Sequence, residues 1–413
     1  MARTYKPIDF LHLDEDLSKD SQALAKEIRR VLHRTNAREI CAQAFKDYRF
    51  PSELLPELTN MDLLGLTLPE QYGGQNASYE NYGVVCRELE AVDSGLRSFV
   101  SVQNSLVMFP IFNCGNEEQK LRYLPKLARA GLEDGLIGCF GLTEPDHGSD
   151  PGAMETVAKR VKKGDLLPGG QQKAASDGYI LNGAKRWITN ASIADLAVVW
   201  AKLEDEAGQV NGFIVLRGDP GFTQVKMENK LSLCASDTGE LYFDGTFVPE
   251  ERRLPHTEGL KSALQCLNKA RFGIAWGAVG VAMDCFDEAL QYTQSRVQFS
   301  RPLSHNQLIQ DGLVEIFTQL TRNQAYVLKM AQLMDSGRSE HAHISMGKLA
   351  CLDDALKAAI MARDMLGANG ITLDYSPIRH IANLQSVITY EGTRNMHKLI
   401  LGQYLTGYPA FRG

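Results

Sequence analysis

The residues with the most chemical promise lie near the C-terminus, where Ile388-Thr389-Tyr390-Glu391-Gly392-Thr393 puts a carboxylate directly before Gly and Thr, just after a helical segment that ends around Val387. A Glu in such a place is ordinarily a solvated loop residue. If its loop is buried against an apolar channel, loss of water raises the carboxyl pKa toward the range of a general base. A second stretch, Phe140-Gly141-Leu142-Thr143-Glu144-Pro145-Asp146-His147-Gly148-Ser149-Asp150-Pro151, has glycines, small hydroxyls and prolines where a strand should continue. Small residues let main-chain N–H groups and hydroxyls approach a planar or anionic ligand, although a plain surface turn has the same composition. A third, Lys185-Arg186-Trp187-Ile188-Thr189-Asn190, follows Asn182-Gly183, and strand alternation sends Trp187 and Thr189 to one side and Ile188 to the other. Trp187 reads equally well as core or as a wall for a flat heteroaromatic ring.

These residues need a scaffold of more than one core, since single cores stop growing near ~250–300 residues and the chain has 413. From about Asp20 to Tyr123 the pattern is helical, with Ala23, Ile28, Val31 and Leu32 recurring at mostly three- to five-residue steps. After about Leu136 short apolar runs alternate with the turn pairs Asp177-Gly178, Asn182-Gly183, Asn211-Gly212 and Asp244-Gly245, which predicts a compact antiparallel β unit joined by hairpins. Residues 162–176 read as an exposed insertion between strands. Beyond Pro249 and Pro255 helical periodicity returns, clearest in Ile309, Leu313, Ile316, Phe317, Leu320, Val327, Ala331 and Met334, and predicts a helix bundle. The expected divisions are 1–135 (helical), 136–254 (β) and 255–413 (bundle carrying Glu391), with the site where the three meet.

Composition removes several function classes. Forty-four basic against 50 acidic residues leave a net charge of −6 and no polybasic stripe for nucleic acid; the run Lys159-Arg160-Val161-Lys162-Lys163 reads as a solvated loop. The eight cysteines show no CxxC spacing and read as free thiols of an intracellular protein, and His341 and His343 point two ways on a helix, so no metal is expected. No signal or transit pattern opens the chain, and the longest apolar stretches, such as Ile274 to Met283, fall short of the ~20 residues of a membrane helix. A soluble protein with no membrane insertion is expected.

Taken together in their order, these motifs resemble the acyl-CoA dehydrogenase family along essentially the whole chain. FGLTEPDHGSDP resembles its flavin-binding signature, KRWITN its second flavin strand, RVQFSRPLSHNQLIQ the helix that contributes to a neighbouring subunit's flavin, and TYEGT the segment with the catalytic base. The resemblance implies a three-domain fold, mainly α, with an N-terminal helical domain, a middle antiparallel β-barrel and a C-terminal four-helix bundle. Within the family, Glu88 to Gln103, ARFGIAWG at 270–277 and RDMLGANG at 363–370 resemble the glutaryl-CoA dehydrogenase branch. There the residue matching Arg97 pairs with the distal carboxylate of the acyl chain; the plainer reading has Arg97 satisfied by Glu90, and the two are compatible if Glu90 orients it.

Residue by residue, the resemblance implies that Glu391 is the base. Arg97, Ser98, Ser149, Thr189, Arg271, Tyr390 and Gly392 would bind the acyl-CoA. FAD would lie on Phe140, Leu142, Thr143, Gly148, Ser149, Trp187, Ile188, Thr189, Asp364, Leu366, Gly367, Ala368 and Thr393, with Arg296, Phe299 and Gln307 reaching the flavin of a partner subunit. Electrons would pass to electron-transfer flavoprotein, the assembly would be a homotetramer built as a dimer of dimers, and the location would be the cytoplasm of a bacterium or, for a processed eukaryotic chain, the mitochondrial matrix. Cys234, Ser300 and Ala368 depart from the usual Arg, Gly and Gly, and Arg394-Asn395-Met396 differs from the glutaryl branch. A short- or branched-chain dehydrogenase with a structural Arg97, or a short-chain acyl-CoA oxidase, shares the remaining residues. A flavin-free binding protein of the same fold is disfavoured by the intact Glu391.

Overall fold

Local signals start the first helices. The computed structural model describes residues 9–169, 172–205 and 208–410. It opens with α1 (Leu13–Asp16), α2 (Lys19–Arg34), α3 (Ala37–Lys46), α4 (Leu55–Asn60), α5 (Tyr79–Val92), α6 (Ser94–Ser101), α7 (Phe109–Cys114) and α8 (Glu117–Leu127). Ser18 caps α2 by accepting the Ser21 N–H, and Ile28, Val31 and Leu32 form its buried stripe. Asp93 turns the chain from α5 into α6, its carboxylate accepting the Gly95 N–H at 2.7 Å. After α6 the helix widens to a π-helical stretch, Val102–Met108. There the Gln103 amide donates to Leu127 O (2.9 Å) and Leu136 O (2.8 Å) and accepts the Gly138 N–H (3.0 Å), which pins the helices to the first strand.

The strands are β1 (Gly138–Gly141), β2 (Val157–Val161), β3 (Gly178–Thr189), β4 (Leu196–Leu203), β5 (Val210–Leu216), β6 (Phe222–Lys226) and β7 (Thr238–Pro249). They form one sheet in the order β1-β4-β2-β3-β7-β6, with β5 on β4. Most pairings are antiparallel, but β1 and β2 each run parallel to β4, so the sheet is mixed. The expected turn pairs fall elsewhere: Asn182-Gly183, Asn211-Gly212 and Asp244-Gly245 lie inside β3, β5 and β7, and Gly178 opens β3. Gly183 sits at a register shift of β3 against β7, and a Cβ on Gly212 would come within 2.8 Å of Leu254 Cδ1. These glycines serve a bulge and a close approach rather than hairpins. The basic run likewise begins on a strand, with Lys159 to Val161 ending β2; of the expected insertion at 162–176, residues 170 and 171 lie outside the described residues and the rest fall between β2 and β3.

The last third holds α9 (Leu260–Ser295), a small hairpin of β8 (Val297–Gln298) and β9 (Arg301–Pro302), then α10 (Gln307–Asp335), α11 (His341–Met365), α12 (Pro377–Val387) and α13 (Arg394–Thr406). The central helix α9 is apolar on nearly every side and buried for most of its length. Gly273, Gly277 and Gly280 recur on its α5 side, where a Cβ on Gly277 would lie 1.7 Å from the Glu90 carboxylate and one on Gly280 2.0 Å from Arg87 O. The two helices therefore touch backbone to side chain, and this room admits Glu90. A buried polar network ties the first third to the last: Asp284 of α9 takes Arg38, Ser376 Oγ (2.6 Å) and His380 Nε2 (3.0 Å). Alongside it, Arg379 donates to Val92 O (3.1 Å) and Asn383 to Asp93 Oδ2 (3.1 Å). The largest core unites α2 to α6 with α9 to α12; a second packs α7 and α8 on one face of the sheet, and a third lies among the strands.

Candidate active site

The loop after α12 is held from several directions. The Thr389 and Tyr390 N–H groups both bond Ser386 O at 2.9 Å, and Ser386 N–H donates to Ser232 Oγ (3.0 Å) in the segment between β6 and β7. Thr393 caps α13 by accepting the Met396 N–H, and Arg394 pairs with Asp353 of α11. Between these anchors Glu391 adopts φ 53 and Gly392 φ 100. A left-handed Glu is strained, and such strain persists where the surroundings impose it. Gly392 suits this φ, and a Cβ there would also crowd His397 Nε2 at 3.1 Å and Arg271 Nη2 at 3.2 Å.

Cations cap the carbonyls of this loop. Arg271 Nε donates to Glu391 O at 2.6 Å, and the Lys348 ammonium donates to Tyr390 O and to Gly392 O, the latter at 2.7 Å. The Glu391 Oε2 atom is buried and has no hydrogen-bond partner among the described residues. Burial raises the Glu391 pKa, against the pull of Lys348, Arg97 and Arg271. Burial likewise pushes Lys348 down to about 7, with Glu391 opposing and Arg271 and Arg97 adding to the shift. His397, buried at the start of α13, is pushed down to about 3 by burial, Lys348 and Arg271, so its imidazole is neutral.

Arg97 stands on α6 with 1% of its surface exposed. Its Nε and Nη2 form a fork onto Glu90 at 2.6 and 3.0 Å, and Nη2 also reaches the Tyr390 hydroxyl. No hydrogen bond from Nη1 is seen among the described residues. The plain reading of Arg97, a partner for Glu90, is therefore correct as geometry, and the same pairing orients the guanidinium toward the residue next to Glu391.

The strand-end motifs form a second cluster. Arg186 N–H donates to Thr143 O at 2.8 Å, joining FGLT to KRWIT. The simple alternation expected there breaks, because β3 bulges between Arg186 and Ile188 and Trp187 takes φ 63. Its indole is 57% exposed, with the Arg186 guanidinium 5.4 Å from the ring centre, so Trp187 is not core. Phe140, Leu142 and Ile188 bury their side chains in the apolar clusters and offer a ligand their main chain only. Thr143 and Thr189 are half-buried, while Gly148 and Ser149 lie exposed. The loop is locked by a buried pair that sequence reading did not single out: Lys185 Nζ to Glu144 Oε1 at 2.8 Å, with Glu144 also accepting the Glu155 and Thr156 N–H groups.

The two clusters are neighbours. Thr189 pairs with Thr238, and Ala235 just before it packs on α6 so tightly that a Cβ on Gly95 would lie 2.4 Å from its carbonyl oxygen. Arg97, Tyr390, Glu391, Gly392 and Arg271 come together directly, with Ser98 buried on the same helix as Arg97. Arg296, Phe299 and Gln307 do not join them: they sit exposed on the β8–β9 hairpin and at its flanks. Asp364 lies in the last turn of α11 and Leu366 to Ala368 follow it, next to Asn369, which bonds Tyr292 Oη of α9. Lys348, missed in the sequence, was legible as a basic residue inside the apolar stripe Ile344, Ser345, Cys351, Leu352 and Ala355.

Helical, β and helical parts converge on one buried carboxylate, and comparison with known proteins gives the class. Residues 18–131, 139–246 and 257–406 match the acyl-CoA dehydrogenase N-terminal, middle and C-terminal domain models. The chain belongs to the acyl-CoA dehydrogenase family. An acyl-CoA dehydrogenase of Bacillus subtilis is 35% identical over 88% of this chain and 92% of its own. A glutaryl-CoA dehydrogenase of Mycobacterium smegmatis, solved with FADH2, is 43% identical with TM-score 0.91, covering 99% of this chain and 100% of that one. Butyryl-CoA dehydrogenase of Megasphaera elsdenii is 29% identical with TM-score 0.85 over 94% and 98%.

The family is FAD-dependent, and the residues present fit the group. A bulge that lifts a Trp out of the core is costly unless a flat ring covers it, and the half-buried Thr143 and Thr189 supply hydroxyls beside it. Among the described residues no metal cluster forms, all eight cysteines are free and buried, and no helix is long and apolar enough to cross a membrane.

Proposed function

We propose that the protein oxidises glutaryl-CoA between its α and β carbons and decarboxylates the product to crotonyl-CoA, with Glu391 as base and Arg97 as the partner of the distal carboxylate. The observation that carries this reading is the Arg97 guanidinium: buried, pre-oriented by Glu90 and Tyr390, one residue removed from Glu391, with Nη1 taken by no protein acceptor among the described residues. A planar cation with an unspent edge in an apolar setting suits a carboxylate.

FAD, when bound, supplies the acceptor for the hydride that leaves the β carbon. Glu391 takes the α proton as that bond breaks, its pKa raised by burial, the direction a general base needs. The Glu391 N–H, which bonds no protein acceptor among the described residues, donates to the thioester oxygen as negative charge gathers there. Carbon dioxide then leaves the unsaturated dicarboxylic thioester; its bonding pair passes into a dienolate, and the proton held on Glu391 returns at the γ carbon to give crotonyl-CoA. Arg97 holds the carboxylate that departs, while Ser98, Thr189 and Tyr390 line the pocket and Ser149 and Arg271 face the CoA portion. The electrons go on to electron-transfer flavoprotein.

A homotetramer, a dimer of dimers, accounts for the exposed apolar side chains Phe299, Leu308, Leu405 and Tyr408. Arg296, Phe299, Gln307 and the 364–368 segment would then complete a partner's flavin site. A second reading, a short-chain monocarboxylic dehydrogenase, is favoured by the fork that Glu90 already makes on Arg97. Anaerobic mixing of the flavin-loaded protein with glutaryl-CoA and with butyryl-CoA separates the two. Faster bleaching by glutaryl-CoA with crotonyl-CoA formed is expected; bleaching by butyryl-CoA alone returns Arg97 to a structural role.

A further inference from the structure

Lys348 is the one buried cation beside the base that the reaction scheme leaves without a task. It reaches from α11 to the carbonyl oxygens on either side of Glu391, those of Tyr390 and Gly392, while Arg271 from α9 holds the carbonyl of Glu391 itself. Three successive carbonyls thus end on cations. In a trans peptide the N–H points opposite to its C=O, so the Glu391 N–H projects away from Lys348. A cation on the oxygen of a peptide unit draws electron density from its nitrogen and strengthens the N–H as a donor, as hydrogen-bonded chains polarise one another in a low dielectric.

We propose that Lys348 is a positioning residue of the reaction: one ammonium bridging Tyr390 O and Gly392 O holds Glu391 in its left-handed turn and polarises the Tyr390–Glu391 peptide, so that the Glu391 N–H binds the thioester oxygen more strongly. This rests on the reading of Glu391 as the base. Two features make a purely structural role insufficient. A buried amine bonded only to main-chain carbonyls is a costly way to fix a turn that Thr393 and Ser386 already anchor. The ammonium also sits among the groups that face Glu391, namely Arg271 of α9, Arg97 of α6, Glu90 of α5, Tyr390 in the loop and His397 of α13, and its charge favours the ionised base.

The test uses the flavin-loaded protein, its Lys348→Met, Lys348→Gln and Lys348→Arg variants, and crotonyl-CoA labelled with 13C at the thioester carbon, which binds without being oxidised. Difference infrared spectra read the thioester stretch, and kcat and KM are followed against pH. In Lys348→Met the downshift of the bound carbonyl shrinks, kcat falls on the order of 10²-fold with KM changed only a few-fold, and the acid limb of kcat/KM moves to higher pH. Lys348→Arg recovers part of both the frequency shift and the limb. Lys348→Gln carries the same comparison if the Met variant does not fold, since it keeps a donor without the charge. A wild-type carbonyl frequency and an unmoved acid limb in Lys348→Met, or in Lys348→Gln, overturn the proposal. Glu391→Gln, examined for exchange of the substrate α hydrogen with solvent, tests the base separately: continued exchange removes Glu391 from that role without touching the Lys348 spectra.

Discussion

Gly277 is small because Glu90 occupies the space where its side chain would be, and Glu90 in turn fixes Arg97. Gly277→Ala is expected to force the carboxylate aside at a cost of about 1–3 kcal/mol of stability, read as a lowered urea midpoint, and to raise KM for glutaryl-CoA more than for butyryl-CoA; equal effects on the two would uncouple Glu90 from substrate choice. Arg97→Met strips the distal carboxylate and Glu90 of their common partner. A loss on the order of 3–5 kcal/mol in kcat/KM for the dicarboxylic substrate is expected, against a far smaller loss with butyryl-CoA. At this scale the sequence was informative where a residue type was unusual for its place. Glu391 before Gly-Thr and Arg97 seven residues from Glu90 could be singled out. Lys348 and His397 were passed over, because a Lys or His on a helix is ordinarily solvated; Lys348 is marked only by its place on the buried stripe of α11, and His397 is the one buried residue of α13.

The elements act through how they hold their loops. The Glu144 and Lys185 pair binds the 142–156 loop to β3. Burial works against the Glu144 charge, but Lys185 and the Glu155 N–H outweigh it and bring its pKa to about 2. Burial brings Lys185 down to about 8, so both remain charged at neutral pH. A depressed carboxyl pKa contributes stability that is complete above the usual Glu value near 4.5 and is lost as pH falls toward 2. Glu144→Gln should therefore be destabilised relative to the wild type at pH 7, by about 3 kcal/mol at most, and the gap should close on acidification in a series of urea titrations. The β8–β9 hairpin turns on Phe299 and Ser300, both at positive φ, where Asn-Gly is the comfortable pair. Ser300→Gly is expected to raise stability by about 0.5–1 kcal/mol, seen as a higher melting temperature. The Gly-containing pairs that misled the reading of the middle domain show its limit: a glycine needed for a bulge, as at Gly183, or for contact with Leu254, as at Gly212, is chemically identical to one needed for a turn. Whether β1 and β2 run parallel to β4 depends on connections that no local spacing encodes.

The whole molecule extends this logic beyond one chain. Phe299 is 95% exposed on a strained hairpin, and a ring so presented is stabilised when another surface covers it. If the proposed homotetramer forms, flavin release should accompany subunit dissociation: in sedimentation at falling concentration, yellow colour is expected to stay with the oligomer and to be absent from the monomer, and a yellow monomer would show that each subunit holds its cofactor unaided. The order of helical, β and helical thirds was visible in the sequence because periodicity survives over long stretches, whereas the contacts between thirds were not, since they join residues hundreds of positions apart. One of these carries a consequence for synthesis. Asp93 leaves the ribosome long before its partners Arg379 and Asn383 of α12, the latter 290 residues further along. Until then the nascent chain carries a carboxylate that cannot be buried without a counter-ion. A message cut short before α12 would therefore yield no folded N-terminal unit, only a chain for chaperones to hold or proteases to clear.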